Sequence, residues 1–177
     1  QFIIIEWRDS FTNYHVYLLR RATKMKKRQE ALFMALETYR QYLLDDLEDV
    51  TEGMAEIIPK GFRNNIRWNM GHTYLDQYLW ILAITREKDE KMKTFNKWFG
   101  FGTTPANFTA ETPTFLELKE MLENQIEDIK ERYAHRLEEE YPPTSMEHYT
   151  TIEQVLVRTA FHEGMHIQAI NDIKRCI

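Results

Sequence analysis

Two histidines near the end of the chain, His162 and His166, have the spacing of a metal site on a helix. Residues four apart on an α-helix lie about 40° apart around its axis and roughly 6 Å along it, so both imidazoles can reach one ion. A buried imidazole without a partner is costly, and a single metal ion would satisfy both rings. Because six histidines in 177 residues can form such a pair by chance, core packing is the alternative to metal binding.

The segment around this pair has the pattern of an amphipathic helix, predicted from about Thr151 to Lys174. Its apolar stripe alternates steps of three and four residues, and both histidines belong to it. The stripe consists of Ile152, Val155, Thr159, His162, His166, Ala169 and Ile173. Both imidazoles are therefore expected on the face that packs against the rest of the domain.

A third candidate ligand, His72, lies on another predicted helix, which runs from Asn64 or Asn65 to near Arg86. The stripe of that helix is Trp68, His72, Leu75, Leu79 and Leu82. Gly71 beside the histidine permits close approach of a neighbour. A single histidine on an apolar face is usually a core residue, but the pair on the last helix favours a metal site with three imidazoles from two helices.

Glu163 raises a rival interpretation, because His162-Glu163-x-x-His166 is also the signature of zinc peptidases, in which the glutamate is the general base. Such peptidases usually take a third ligand well downstream, and only eleven residues follow His166. The side chain of Glu163 points about 100° away from His162. We therefore interpret Glu163 as a supporting or surface residue, and as a catalytic base only if the protein is a hydrolase.

Two further amphipathic helices are predicted, and few residues in them break helices. The first runs from about Arg28 to Glu48 with the stripe Leu32, Leu36, Tyr39, Leu43 and Leu47. The other begins at a capping box formed by Thr114 and Glu117 and continues to Pro142-Pro143, with the stripe Leu118, Leu122, Ile126, Ile129 and Tyr133. Four such helices without a strand pattern predict an all-α four-helix bundle.

The helix that carries His72 and the helix that begins at Thr114 are joined by a long connection, residues 87–113, and the charged start of this connection fits either a loop or a further turn or two of helix. It contains the aromatic run Trp98-Phe99-Gly100-Phe101-Gly102. We interpret it as a loop that its aromatic residues hold in place, with a lid over a pocket as the alternative. The three remaining histidines, His15, His135 and His148, lie off the shared stripes and are predicted at the surface.

Composition narrows the class of protein. A chain of 177 residues with 43% hydrophobic content suits one compact domain, and a net charge of −5 gives no case for nucleic-acid binding. The single cysteine, Cys176, allows no intrachain disulfide and fits a cytoplasmic location. Residues 1–24 are too short and too polar to span a membrane. They form an N-terminal extension whose status the sequence leaves open, ahead of a domain at 25–177.

The segment Trp68-Asn69-Met70-Gly71-His72, together with His162 and His166 on the last helix, resembles the DinB-like superfamily. These four-helix-bundle proteins include the DinB proteins and the YfiT-type thiol transferases. The resemblance covers about residues 25–177, including the helix order and the long connection. It implies a divalent ion, zinc or nickel, held by His72, His162 and His166, and it implies a homodimer.

For function, the resemblance implies a metal-dependent enzyme that acts with a low-molecular-weight thiol such as bacillithiol or mycothiol. A small-molecule thiol and an electrophile are the expected partners, and the reaction type is that of a thiol S-transferase. Two alternatives stay open: a metal-dependent hydrolase that activates water, and a stress-related metal-binding protein without catalysis. No nucleic-acid or membrane partner is expected.

Overall fold

The computed structural model describes residues 25–144 and 148–177, and every regular element in these ranges is helical. The α-helices are α1 (Lys27–Asp46), α2 (Glu52–Ala55), α3 (Ile66–Thr85), α4 (Glu90–Phe99), α5 (Phe115–Tyr133) and α6 (Ile152–Lys174). Short 3₁₀ turns lie at Pro105–Asn107 and Ala134–Arg136. The predicted all-α class is confirmed for these residues, and the prediction for residues 1–24 lies outside them. None of the described helices is long and apolar enough to cross a bilayer.

Three of the four long helices begin at the polar side chains that the sequence indicated. Asn65 accepts a hydrogen bond from the backbone N–H of Trp68 at the start of α3. Thr114 caps α5 in a reciprocal capping box with Glu117, and Thr151 caps α6. These starts are set by local hydrogen bonds, which is why the sequence identified them.

The predicted end of α5 at Pro142-Pro143 was wrong, because the α-helix ends at Tyr133. The chain then tightens into the 3₁₀ turn and buries Leu137, which is 1% exposed. The carbonyl of Leu137 accepts a hydrogen bond from the N–H of Glu153. This contact holds the end of α5 against the start of α6.

Each of the four long helices packs on two others: α1 on α6, α6 on α3, α3 on α5, and α5 on α1. Helices α1 and α6 are parallel, since Arg28 pairs with Glu153 near their starts and Asp46 with Asn171 near their ends. Helix α3 is antiparallel to α6 and parallel to α5. The contacts that show this are Asn69–His166, Asp76–Arg158, Tyr74–Gln125 and Tyr78–Asp128.

Because α3 and α5 are parallel neighbours, the chain between them has to return along the length of α3. Residues 86–114 make this return, and α4 packs on α3 as part of it. The aromatic run predicted as loop is therefore partly helix. Trp98 and Phe99 are buried at the end of α4, whereas Phe101 is fully exposed.

The core stripe of α5 was predicted correctly, and all five of its residues are buried. The stripe of α1 was wrong at two positions, since Leu32 is only half-buried and Tyr39 is 41% exposed. Phe33 and Arg40 are buried in their place. Both sets of residues have helical spacing, and the burial of Arg40 depends on an ion pair with a residue far along the chain.

Candidate metal centre

The structure brings together the three histidines that the sequence singled out. His72 on α3 faces His162 and His166 on α6, and one nitrogen from each ring lies within 4.8 Å of the others. The ring centroids are 5.2 Å apart for His72–His162, 4.8 Å for His72–His166 and 4.6 Å for His162–His166. The rings meet because the packing of α3 against α6 turns their histidine faces toward each other.

Each of the three rings has an oxygen atom at its Nδ1 position. Nδ1 of His72 lies 2.6 Å from the carbonyl oxygen of Phe99, and Nδ1 of His166 lies 2.7 Å from Oδ1 of Asn69. Nδ1 of His162 lies 3.0 Å from Oδ2 of Asp76. Carbonyl and amide oxygens only accept hydrogen bonds, so Nδ1 carries the proton in His72 and His166. The Nε2 lone pairs are then directed away from these partners and can bind a metal.

The partner of His166 is itself held in one orientation. The side-chain Nδ2 of Asn69 donates to the backbone carbonyl of Asn65 at 2.8 Å, so its Oδ1 must face the histidine. Both asparagines are buried at the start of α3. The first turn of α3 therefore supplies both a helix cap and a support for a ring on α6.

Asp76 is an ionised partner for His162. Burial by itself would raise the pKa of Asp76, but the hydrogen bond from His162 and the charges of His162 and Arg158 outweigh it, and the pKa lies below its ordinary value. Nη1 of Arg158 donates to the same carboxylate at 2.6 Å, and its guanidinium lies 4.5 Å from the centre of the Trp80 ring. A carboxylate behind a ligating imidazole orients the ring and raises its basicity.

Burial keeps two of the imidazoles neutral. It is the largest cause that lowers the pKa of His72, and it lowers the pKa of His166 to about 3, with the neighbouring histidines adding to the effect. The neutral ring is the form that binds a metal. At neutral pH the site therefore presents unprotonated nitrogen atoms without first having to release protons from these two residues.

The end of α4 holds His72 in place. Phe99 is the last residue of α4, so its carbonyl lies at the negative end of that helix. A Cβ atom at Gly71 would overlap the ring of Phe99, which shows why only glycine allows α4 to approach so closely. Trp68 stacks on His72 with centroids 4.7 Å apart and donates from Nε1 to Thr103. The sequence predicted residues 87–113 as a loop held by its aromatic residues, with a lid over a pocket as the alternative; a hydrogen bond between this connection and a candidate ligand was not predicted, although Gly71 signalled a close neighbour.

Glu163 is directed to a different partner. Its side chain is 1% exposed, so the surface position considered for it was wrong. Its Oε1 accepts a hydrogen bond of 2.6 Å from Nε of Arg40 on α1. Of the other histidines, His148 is exposed and His135 half-buried, and neither belongs to the cluster; His15 lies outside the described residues.

The donor set suits a borderline metal ion. Three imidazoles are typical ligands of zinc and nickel, whereas magnesium and calcium prefer oxygen atoms. Zinc–nitrogen bonds of about 2.0–2.1 Å place tetrahedral ligands roughly 3.4 Å apart, and the three ring nitrogens here lie within 4.8 Å of one another. A pocket of about 590 Å³ opens beside His162. It is lined by Tyr149, Gln154, Val157, Arg158, Phe161, His162 and Met165.

Replacing Asp76 by asparagine is expected to weaken metal binding by about 10–100-fold, the usual effect of losing a partner behind a ligand. The amide keeps the shape of the side chain but removes the charge that supports the His162 ring. The measurement is a zinc titration in competition with a chelator of known affinity. Asp128→Asn is the control, since that carboxylate accepts from Tyr78 and lies on α5. Equal affinities in the two variants would contradict the assigned role of Asp76.

Comparison with known families gives a match over most of the chain. A family model described as the DinB superfamily matches residues 35–170, which is well over half of the chain and includes all three histidines. No curated protein matches the chain.

Proposed function

This chain belongs to the DinB superfamily, and from that premise we propose that it is a metal-dependent enzyme that acts with a low-molecular-weight thiol. The reaction type is thiol S-transfer: the thiolate sulfur attacks a small electrophile and forms a thioether, the thiol proton passes to water, and the leaving group of the electrophile departs with its bonding electrons. The ion is zinc or nickel, and His72, His162 and His166 hold it. The four long helices are then the four-helix bundle of this superfamily, with residues 86–114 as its long connection.

The observation that carries the proposal is the set of oxygen partners at the three Nδ1 atoms. Each ring is oriented by a separate group, the Phe99 carbonyl, the Asn69 amide and the Asp76 carboxylate. Three protein ligands leave a coordination position for a substrate, as in catalytic rather than structural sites. A divalent ion there lowers the pKa of a bound thiol and so supplies a nucleophile at neutral pH.

The residues beside the histidines suit a small, partly apolar substrate. Val157, Phe161 and Met165 give the pocket next to His162 an apolar wall. Arg158 is the charged member of this wall, and its guanidinium is paired with the carboxylate of Asp76. The exposed, free thiol of Cys176 fits the reducing cytoplasm in which low-molecular-weight thiols are maintained.

The hydrolase alternative would require a rearrangement of buried side chains. A hydrolase that uses Glu163 as its general base would have to take this carboxylate away from Arg40, to which it is hydrogen-bonded in the core. Conjugation of a thiol needs no such rearrangement. The transferase is therefore the function that the geometry supports best, and a metal-binding protein without catalysis is the outcome if no substrate reacts.

The test is a conjugation assay with metal-loaded protein. Zinc- or nickel-loaded protein is mixed with monochlorobimane and, in turn, bacillithiol, mycothiol, glutathione and cysteine, and the fluorescent conjugate is followed. We expect conjugation above the uncatalysed rate with at least one thiol, lost on chelation and restored by metal. Metal-dependent ester hydrolysis without conjugation would favour the hydrolase. Metal binding with neither activity would favour the non-catalytic protein.

The homodimer implied by family resemblance has a candidate surface on α1 and α6. These adjacent parallel helices expose large apolar side chains around a groove of about 1050 Å³. The most exposed members of this surface are Tyr39, Tyr42, Val157, Phe161 and Met165. A contiguous apolar face of this kind is typical of an interface, and we propose that a second copy of the chain covers it.

Phe161→Glu is expected to convert the dimer to a monomer, because Phe161 is 74% exposed in the single chain and a charge in its place would be buried by the partner. Light scattering after size-exclusion chromatography measures the mass. Leu116→Glu is the control, since Leu116 is 60% exposed on α5, away from the groove. A wild-type monomer, or a dimer in the Phe161 variant, would refute this surface.

A further inference from the structure

Arg40 on α1 binds one group from each of the other three long helices. Its Nε donates to Oε1 of Glu163 on α6 at 2.6 Å, and its Nη1 donates to the carbonyl of Leu122 on α5 at 2.6 Å. Its Nη2 donates to Oε1 of Gln77 on α3 at 3.1 Å. The side chains of Arg40 and Glu163 are 4% and 1% exposed. The pair therefore lies at the centre of the helix assembly.

Stability by itself does not account for such a pair. Moving two charges out of water is costly, and apolar residues of similar volume often stabilise a core as well or better. A guanidinium also makes the arrangement directional, because its N–H donors point in fixed directions within one plane. Here these donors bind groups on three different helices, so the pair restricts how each helix is rotated and placed.

Glu163 lies on α6 between the two histidines of the cluster, so its bond to Arg40 restrains the rotation of α6 at the site itself. It is adjacent to His162 and three residues before His166, about 100° and 60° from them around the helix axis. A rotation of α6 by about 10° would move an imidazole nitrogen, roughly 5–6 Å from the axis, by about 1 Å. Metal–ligand distances tolerate only about 0.2 Å. Holding the rotation of α6 thus holds the geometry of the cluster.

We propose that the Arg40–Glu163 ion pair is a positioning device that fixes the rotation of α6, so that His162 and His166 meet His72 at the spacing one metal ion requires. Glu163 is then a positioning residue that acts through the helix, and its carboxylate touches neither the metal nor the substrate. This role rests on the proposed metal site. It adds a requirement, since the three histidines can bind one ion only if α6 is held at this rotation.

The experiment is a titration of the full chain with Co²⁺, whose visible absorption reports both affinity and coordination geometry. Three proteins are compared with wild type. Glu163→Gln removes the charge and keeps the shape; the double variant Arg40→Met/Glu163→Leu replaces the pair by apolar groups of similar volume. Glu153→Gln is the matched control, because Glu153 pairs with Arg28 and joins the same two helices where Arg28 is exposed.

We expect the Co²⁺ affinity of Glu163→Gln and of the double variant to fall at least tenfold, with altered absorption bands, while Glu153→Gln behaves as wild type. The double variant is expected to stay folded, and it decides the question if Glu163→Gln does not fold. Wild-type affinity and bands in a folded variant would overturn the proposal and leave the metal site standing. Failure of the wild-type chain to bind Co²⁺ would instead overturn the metal site.

Discussion

His72→Ala is expected to abolish metal loading of this protein. The substitution removes the only one of the three clustered rings that α3 supplies and leaves the two rings of α6, His162 and His166. Loss of a mere supporting partner weakens metal sites by 10–100-fold, so loss of a ligand is expected to weaken binding by at least about a thousandfold. The ion would then no longer tie α3 to α6.

The measurement is elemental analysis of untagged protein. We expect about one zinc or nickel ion per wild-type chain and none in His72→Ala. His148→Ala is the control, because His148 is exposed and outside the cluster. An ion retained after loss of His72 would refute the three-histidine site and would return the zinc-peptidase interpretation of His162, Glu163 and His166 to consideration.

Loading should also stabilise the fold, since the ion binds a site that exists only in the folded chain. Metal at a thousand times its dissociation constant adds about 4 kcal/mol to the free energy of unfolding. Chelation is therefore expected to lower the melting temperature of wild type and to leave that of His72→Ala unchanged.

Gly71→Ala is the second change with a large expected effect, and the informative result is whether it raises or lowers the free energy of unfolding. Replacing a glycine inside a helix by alanine ordinarily stabilises a protein by about 1 kcal/mol. At Gly71 the added Cβ would overlap the ring of Phe99, a fully buried residue that cannot move into solvent. Overpacking of a core costs about 1–3 kcal/mol, so we expect net destabilisation, together with weaker metal binding as α4 and its carbonyl move away from His72.

Gly164→Ala is the matched control for that variant. Gly164 also lies inside a long helix, α6, at the groove proposed for the dimer, but within the single chain no atom outside its own stretch of helix lies within 4 Å of the place where its Cβ would be. The Gly164→Ala substitution is expected to stabilise the chain by about 0.5–1 kcal/mol. Chemical denaturation of the two variants, with their metal affinities, tests the assignment. A stabilised Gly71→Ala with wild-type affinity would show that α4 does not support the site.

The sequence by itself determined the features that depend on near neighbours. Helix starts at Asn65, Thr114 and Thr151 follow from side chains that bond to backbone groups three residues away. The pairing of His162 with His166 follows from the pitch of a helix. Such features need no knowledge of which helix packs on which.

The tertiary structure decided the rest, because those features depend on contacts between distant segments. Tyr39 and Arg40 both fit a helical stripe, and the choice between them was made by Glu163, 123 residues further along the chain. A charged residue is buried only where its counterion is buried too, and no local pattern announces that pairing.

The supports of the histidine cluster were hidden from the sequence for the same reason. Asp76 and Phe99 carry no metal-site pattern, and Asn69 belonged to the segment that resembles the family, residues 68–72, without a role of its own; each acquires its role only when helix packing places an oxygen atom beside one ring. The sequence could therefore name candidate ligands from their spacing. Only the packing of α3, α4 and α6 determined which nitrogen of each ring would face a metal.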